Sequence, residues 1–135
     1  MLVGTRKGLF VGRADADRSA WSWDPPAFAM EEVYAVSIDP TTATVLVGST
    51  HPVFGPAVYR SQDAARTFDR DSPAQVAFPD GLDAAVERVW QLQPSPCDPD
   101  VVWAGTQPSA LFRPADGGRS FELVRSLWEH PHRPT

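Results

Sequence analysis

Apolar positions along this chain fall in short runs, not at helical spacing. Val33-Tyr34-Ala35-Val36-Ser37-Ile38, Thr44-Val45-Leu46-Val47-Gly48 and Ala57-Val58-Tyr59-Arg60 are rich in β-branched and aromatic residues. The turn Asp39-Pro40-Thr41-Thr42 separates the first two. Runs of this kind, bounded by Gly, Pro, Asp and Ser, predict strands joined by tight turns. Arg66-Thr67-Phe68-Asp69 completes a set of four. A second set repeats the order: Val89-Trp90-Gln91-Leu92-Gln93, Val101-Val102-Trp103-Ala104-Gly105, Ala110-Leu111-Phe112-Arg113 and Ser120-Phe121-Glu122-Leu123-Val124. Each set reads as a four-stranded antiparallel meander. Tyr34, Tyr59, Trp90 and Trp103 alternate with apolar neighbours and are expected in the core, with a sugar-stacking platform as the alternative for one of Trp90 and Trp103. The one helix candidate is residues 80–88, with Asp80 as a cap; Gly81 and its short length limit it to a single turn.

The two sets belong to a repeat. Gly105-Thr106 through Phe121 aligns with Gly48-Ser49 through Phe68, and Gly4-Thr5-Arg6-Lys7-Gly8-Leu9-Phe10-Val11 echoes both, with Trp21 and Trp23 further on. Gly4 to Gly48 is 44 residues, Gly48 to Gly105 is 57, and Asp63 to Asp116 is 53. A repeat of this length is one supersecondary unit that buries its apolar face by stacking on a neighbour. Four strands at this period match a β-propeller blade. The expected fold is therefore all-β, built of four-stranded antiparallel blades, as an incomplete propeller of about two and a half blades. The division is a partial first blade at 1–28, a second blade at 29–72, a long connection at 73–88, a third blade at 89–125 and a connection to a missing blade at 126–135.

Two segments carry a family resemblance. Ser61-Gln62-Asp63-Ala64-Ala65-Arg66-Thr67-Phe68 resembles the Asp-box, Ser-x-Asp-x-Gly-x-Thr/Ser-Trp/Phe, with Ala65 in place of the Gly. Asp116-Gly117-Gly118-Arg119-Ser120-Phe121 resembles it more closely, hitting the pattern at Asp116, Gly118, Ser120 and Phe121, with Pro114 in place of the leading Ser. Near Asp15 and Asp17 the pattern has decayed. Such boxes mark the BNR-repeat, sialidase-like propellers, and the whole chain resembles the N-terminal part of a bacterial branch of that group. The motif has a local physical reason: the Asp carboxylate accepts backbone N–H groups across a tight turn, and Gly supplies a positive φ. Asp63, Thr67, Phe68, Asp116, Gly118, Ser120 and Phe121 are accordingly expected to be structural, the Phe residues wedging between blades.

Composition narrows the function classes. The net charge of −5 and the absence of any basic run longer than Arg6-Lys7 argue against nucleic acid or an anionic membrane as partner. No apolar run is long enough for a membrane helix. No signal peptide is recognisable, since the apolar Met1-Leu2-Val3 precedes Arg6-Lys7, and a cytoplasmic location is the expectation. The single cysteine, Cys97, fits a reducing compartment and sits beside Asp98, which disfavours a thiolate. The 14 prolines and 9 glycines lie between apolar runs, as turn punctuation does.

What the resemblance implies about function lies at the blade end opposite the Asp-boxes, where sialidase-like folds hold their substrate pocket. Alignment brings there Thr5-Arg6-Lys7-Gly8, Ser49-Thr50-His51-Pro52 and Thr106-Gln107-Pro108-Ser109, with Glu31, Glu32, Glu87 and Arg88 from the connections. The tail adds His130 and Arg133. Arg6, Lys7, His51, Gln107, Glu87, Arg88, His130 and Arg133 are thus the ligand-binding candidates, suited to a small polar or anionic ligand, a carbohydrate among them. No catalytic set is assignable. His130-Pro131-His132 offers two ligands and lacks a third, so no metal and no cofactor is expected. The expected function is a ligand- or protein-binding scaffold. The alternative is a glycoside hydrolase of exo-sialidase type whose catalytic set lies largely outside this chain. A partial ring is also expected to leave sheet edges and a flat apolar face open to self-association.

Overall fold

The computed structural model describes residues 1–98, 100–115 and 119–133. Among these, strands β1 (Leu2–Thr5), β2 (Gly8–Ala14) and β3 (Trp21–Trp23) form a three-stranded antiparallel sheet. Eight more strands form a second sheet: β4 (Glu32–Ile38), β5 (Val45–His51), β6 (Gly55–Ser61), β7 (Ala74–Val76), β8 (Arg88–Pro94), β9 (Val102–Gln107), β10 (Ala110–Ala115) and β11 (Ser120–Leu123). Their order is β4-β5-β6-β7-β11-β10-β9-β8. The two end strands, β4 and β8, pack against each other without pairing, so the sheet is nearly closed and barrel-like. The molecule is all-β.

The meanders follow from the alternation of short apolar runs and turns. The β5–β6 hairpin pairs Val45 with Ser61 at one end and His51 with Gly55 at the other. Gly55 takes a φ of +76° at its tip, a conformation that costs a residue with a Cβ. Asp39 closes the β4–β5 turn, its Oδ1 accepting the Thr41 N–H at 2.7 Å.

Two apolar clusters separate the layers. One lies inside the large sheet, where Ala35, Leu46 and Val58 meet Val89, Leu92, Ala104, Phe112 and Phe121. The other lies between the small sheet and the opposite face of β4–β6, where Leu9, Val11 and Phe28 meet Val33, Val45, Val47 and Tyr59. Every residue of both clusters is nearly removed from water, which is the main favourable term for a chain of this size.

Layer spacing is set by two glycines. A Cβ on Gly4 would stand 2.7 Å from the Val33 carbonyl oxygen and 2.9 Å from Val33 Cγ1. A Cβ on Gly48 would stand 3.1 Å from Val89 Cβ and Cγ1. Gly4 and Gly48 hold the same place in their units, and so do Val33 and Val89. The same close approach is therefore made twice, β1 on β4 and β5 on β8. Gly105, the third member of the series, meets only Gln91 Cβ, at 3.9 Å.

Three expectations about elements are corrected. The strand expected at 66–69 is absent: the carboxylate of Asp63 takes up the Arg66 and Thr67 N–H groups, which are then lost to a ladder. The strand beside β6 is instead β7, inside the stretch read as a connection, and it also pairs in parallel with β11. Three residues flanked by prolines give too short a pattern to read, yet Ala74 and Val76 are buried and Gln75 exposed, as alternation requires. Residues 80–88 form no helix. The short helix is α1 (Arg125–Trp128), anchored by Trp128 against Phe78. On the outward face of β9–β11 Trp103 shares its groove with the Arg113–Glu122 ion pair.

Substitution of the three glycines tests this spacing. Gly4→Ala and Gly48→Ala are each expected to lower unfolding free energy by about 1–3 kcal/mol through overpacking. Gly105→Ala is expected to change it by less than about 0.5 kcal/mol, or to stabilise. Urea titrations of the three variants check the contrast.

Candidate functional site

The end of the fold where β4 and β8 begin gathers a polar and aromatic cluster. β4 and β8 each carry a bulge at the same place: pairing shifts between Val33 and Ala35 on β4, and between Val89 and Gln91 on β8. A bulge inserts one residue that opposes nothing on the partner strand and re-aims its side chain. The inserted residues are Tyr34 and Trp90. Their rings lie 5.2 Å apart, centroid to centroid, at 58°.

Arg88 lies against both aromatics, its guanidinium carbon 5.0 Å from the Tyr34 centroid and 5.3 Å from that of Trp90. Its Nε is buried and has no hydrogen-bond partner among the described residues. The Tyr34 hydroxyl donates to Glu32 Oε2 at 2.7 Å. Arg6 Nε donates to Glu32 Oε1 at 3.1 Å. Glu32 thus takes a neutral donor on one oxygen and a cation on the other. The Tyr34 bond holds its carboxyl below the ordinary range, with Arg6 adding to the effect. The same bond pushes the Tyr34 hydroxyl upward, and partial burial and the Glu32 charge push it further. At neutral pH the pair is a phenol donating to a carboxylate.

Tyr34 and Trp90 are therefore corrected from core to site. Tyr34 is half-buried with its hydroxyl engaged, and Trp90 is 48% exposed. Tyr59, by contrast, is buried in the core between the small sheet and β4–β6. Trp103 is half-buried.

The remaining candidates separate into groups. Gln107 Nε2 donates to Glu87 Oε2 at 2.8 Å, next to Arg88. Lys7 lies in the exposed β1–β2 turn beside Arg6. His51 is committed locally: its Nδ1 accepts the N–H groups of Val53 and Phe54, at 3.0 and 3.2 Å. His130 and His132 have ring centroids 5.5 Å apart, and Arg133 lies over the Trp128 ring at 3.7 Å. Among the described residues, no hydrogen bond, ion pair or ring contact joins this tail to Arg6 or Arg88. None of them forms a group of three or more His, Cys, Asp or Glu able to hold a metal. Cys97 is exposed and free.

Glu31, next to the cluster, is buried and takes the Ser49 hydroxyl at 2.7 Å together with a short ion pair to Arg70. Arg70 lies over the Phe28 and Tyr59 rings. A buried carboxylate fully engaged by a hydroxyl, a guanidinium and packed rings is a structural tie between layers.

The opposite end holds the turns. Asp63 Oδ1 accepts the Arg66 and Thr67 N–H groups, each at 2.9 Å, and the Ser61 hydroxyl at 2.7 Å. Oδ2 accepts the Thr67 hydroxyl at 2.6 Å. Phe68 then packs edge-on against Phe28, 4.9 Å between centroids. Ala64 and Ala65 both take positive φ, at 59° and 62°. The first unit has a related turn: Asp15 accepts the Ser19 hydroxyl at 2.9 Å and the Ala20 N–H at 3.1 Å. One residue of offset, Asp15 to Trp21 against Asp63 to Phe68, hides this likeness in the sequence. Asp116 and Gly118 of the third turn lie outside the described residues.

Compared with known proteins, the chain matches no protein-family model, and no curated protein matches it. No helix among the described residues is long and apolar enough to cross a membrane.

The Asp63 turn makes a pH prediction. The Thr67 hydroxyl and N–H, with Ser61 and Arg66, hold the Asp63 carboxyl far below its ordinary value of 3.8. A depressed folded-state value gives stability that is fully present above the unfolded value and is lost progressively as pH falls from there through the folded-state value. Asp63→Asn is expected to lower the thermal midpoint by several degrees at pH 7. The gap to the parent should narrow as pH falls below about 4, followed by circular dichroism melts across pH 2–7.

Proposed function

We propose that this chain is a ligand-binding scaffold built from BNR-type propeller blades, and that its ligand is a small organic anion such as a sugar acid. The units in this reading are β1–β3, β4–β7 and β8–β11, each beginning its pairing at a glycine-bearing second strand. The recurring Gly4–Val33 and Gly48–Val89 contacts and the Asp15 and Asp63 turns support it.

The single observation that carries the binding reading is Arg88. Its guanidinium carbon lies 5.0 and 5.3 Å from the Tyr34 and Trp90 ring centroids, with its buried Nε unpartnered among the described residues, beside a half-exposed indole. A planar guanidinium held between two rings pays little ordering entropy when its terminal nitrogens grip a carboxylate, and an adjacent indole face suits a pyranose ring. Arg6 adds a second positive charge at the rim. Isothermal titration with N-acetylneuraminate and with glucuronate tests this. One of them is expected to bind one to one, and Arg88→Gln to weaken it at least tenfold. No heat with either anion would overturn the reading.

A second reading rests on the Tyr34–Glu32 hydrogen bond. A phenol donating to a carboxylate is what a glycosidase with a Tyr nucleophile requires. Its residues would be Tyr34 as nucleophile, Glu32 as its base and Arg6 and Arg88 on the substrate carboxylate, with a general acid from outside this chain. Release of the fluorophore from a methylumbelliferyl sialoside, abolished in Tyr34→Phe, would establish it; binding without turnover leaves the scaffold reading standing.

A further inference from the structure

At the end of the fold that carries the Asp63 turn, the β6–β7 ladder stops early. The two strands pair at Ala57 with Gln75 and at Val58 with Ala74, while β6 runs on to Ser61. The residue before Ala74 is Pro73, which has no N–H to donate and ends the ladder. β7 also pairs in parallel with β11, Ser120 opposite Gln75, which brings Arg119 alongside Ala74. Between these segments lies a cavity of about 520 Å³, walled by Val58 and Ala74 and lined by Arg60, Asp69, Ser72 and Arg119.

Arg60 reaches the cavity from inside the large sheet. It stands opposite Leu46 and shares the face of Val58, and both of those residues belong to the inner apolar cluster. The guanidinium therefore sits where the apolar filling ends. Its Nε is buried and has no hydrogen-bond partner among the described residues. Neither Arg60 nor Arg119 forms an ion pair with a described residue. The carboxylates nearby are engaged by backbone. Asp69 Oδ1 accepts the Ser72 N–H at 3.3 Å. Asp39, which shares a smaller hollow with Arg60 and Asp100, accepts the Thr41 and Thr42 N–H groups at 2.7 and 3.3 Å. A buried donor without an acceptor costs free energy unless a counter-group meets it.

We propose that this cavity binds a small phosphate monoester, independently of the Arg88 cluster at the other end of the fold. Two guanidiniums from separate strands suit a tetrahedral group with three terminal oxygens, which meets both planar forks; a carboxylate offers a single edge. Ser72 adds a hydroxyl to the lining. Inorganic phosphate fills only part of a cavity this large, and the alcohol portion of an ester occupies the rest. Asp69 Oδ2 takes no hydrogen bond from a described residue, so it accepts a hydroxyl of that portion. Its charge also disfavours a second anionic group, which selects a singly phosphorylated polyol.

Titration with inorganic phosphate and with glycerol 3-phosphate at constant ionic strength tests the proposal, read by two-dimensional NMR of the arginine Nε–H groups. The Arg60 and Arg119 signals are expected to move together and saturate one to one. Phosphate is expected to dissociate below about 1 mM, with glycerol 3-phosphate held several-fold tighter. Arg119 is exposed, so Arg119→Gln is expected to melt with the parent and to weaken both ligands about tenfold. Asp69→Ala is expected to abolish the preference for glycerol 3-phosphate while leaving phosphate at least as tight. Arg88→Gln is expected to leave both affinities unchanged, so this proposal and the sugar-acid reading fail separately. Acetate binding as tightly as phosphate, absence of saturation, Arg119→Gln binding like the parent, glycerol 3-phosphate held no tighter than phosphate, or loss of phosphate binding in Arg88→Gln would each overturn it.

Discussion

The structure depends on how closely one layer approaches the next. Gly4 and Gly48 leave no room for a Cβ, and Val33 and Val89 fill the space where one would stand. Because the valine belongs to the first strand of the following unit, the contact sets both the distance and the register of stacking. The two apolar clusters are then filled by residues from adjacent layers, Leu9 with Val47 in one and Leu46 with Phe112 in the other. Close packing at native density makes this intolerant: a single methyl group at either glycine must displace backbone or a β-branched side chain.

The same stacking produces the candidate site. Val33 and Val89 are each followed directly by a bulged aromatic, so fixing the valines over the glycines also fixes Tyr34 and Trp90 side by side. Arg88 precedes one valine and Glu32 the other, which brings a cation and an anion from successive units to one end of the fold. Charge and aromatic surface converge there from residues 6 to 90, with no single loop supplying more than a part. The far end is different in kind. The Asp63 and Asp15 carboxylates there are engaged by neighbouring hydroxyl and N–H groups, which leaves them little capacity for a ligand.

Most strand positions were legible because they rest on local chemistry: β-branched runs, turn residues and a glycine recurring before Ser or Thr. The direction of Tyr34 and Trp90 was not. Alternation assigns them to the core, and a bulge breaks alternation by one residue without leaving a mark in composition. The two occurrences of Val-aromatic at the same place in the repeat were the available signal, since a bulge repeated at equivalent positions is a designed feature. β7 was missed for its length, and α1 because four residues carry no helical period. The Asp15 turn was hidden by an offset of one residue, which matters to a pattern and not to a carboxylate within reach of a hydroxyl.

By itself the sequence determined an all-β chain of short strands joined by tight turns, the places of seven of the eight strands expected in the two four-strand sets, and the self-contained turn at residues 61–68, because each follows from interactions within a few residues. The tertiary structure alone decided which glycine meets which valine, that β7 joins β6 to β11, and that Tyr34 and Trp90 join Arg6, Glu32 and Arg88 in one cluster. Those are contacts between residues far apart in the chain. Their partners are selected by the packing of whole layers, and no local pattern records that selection.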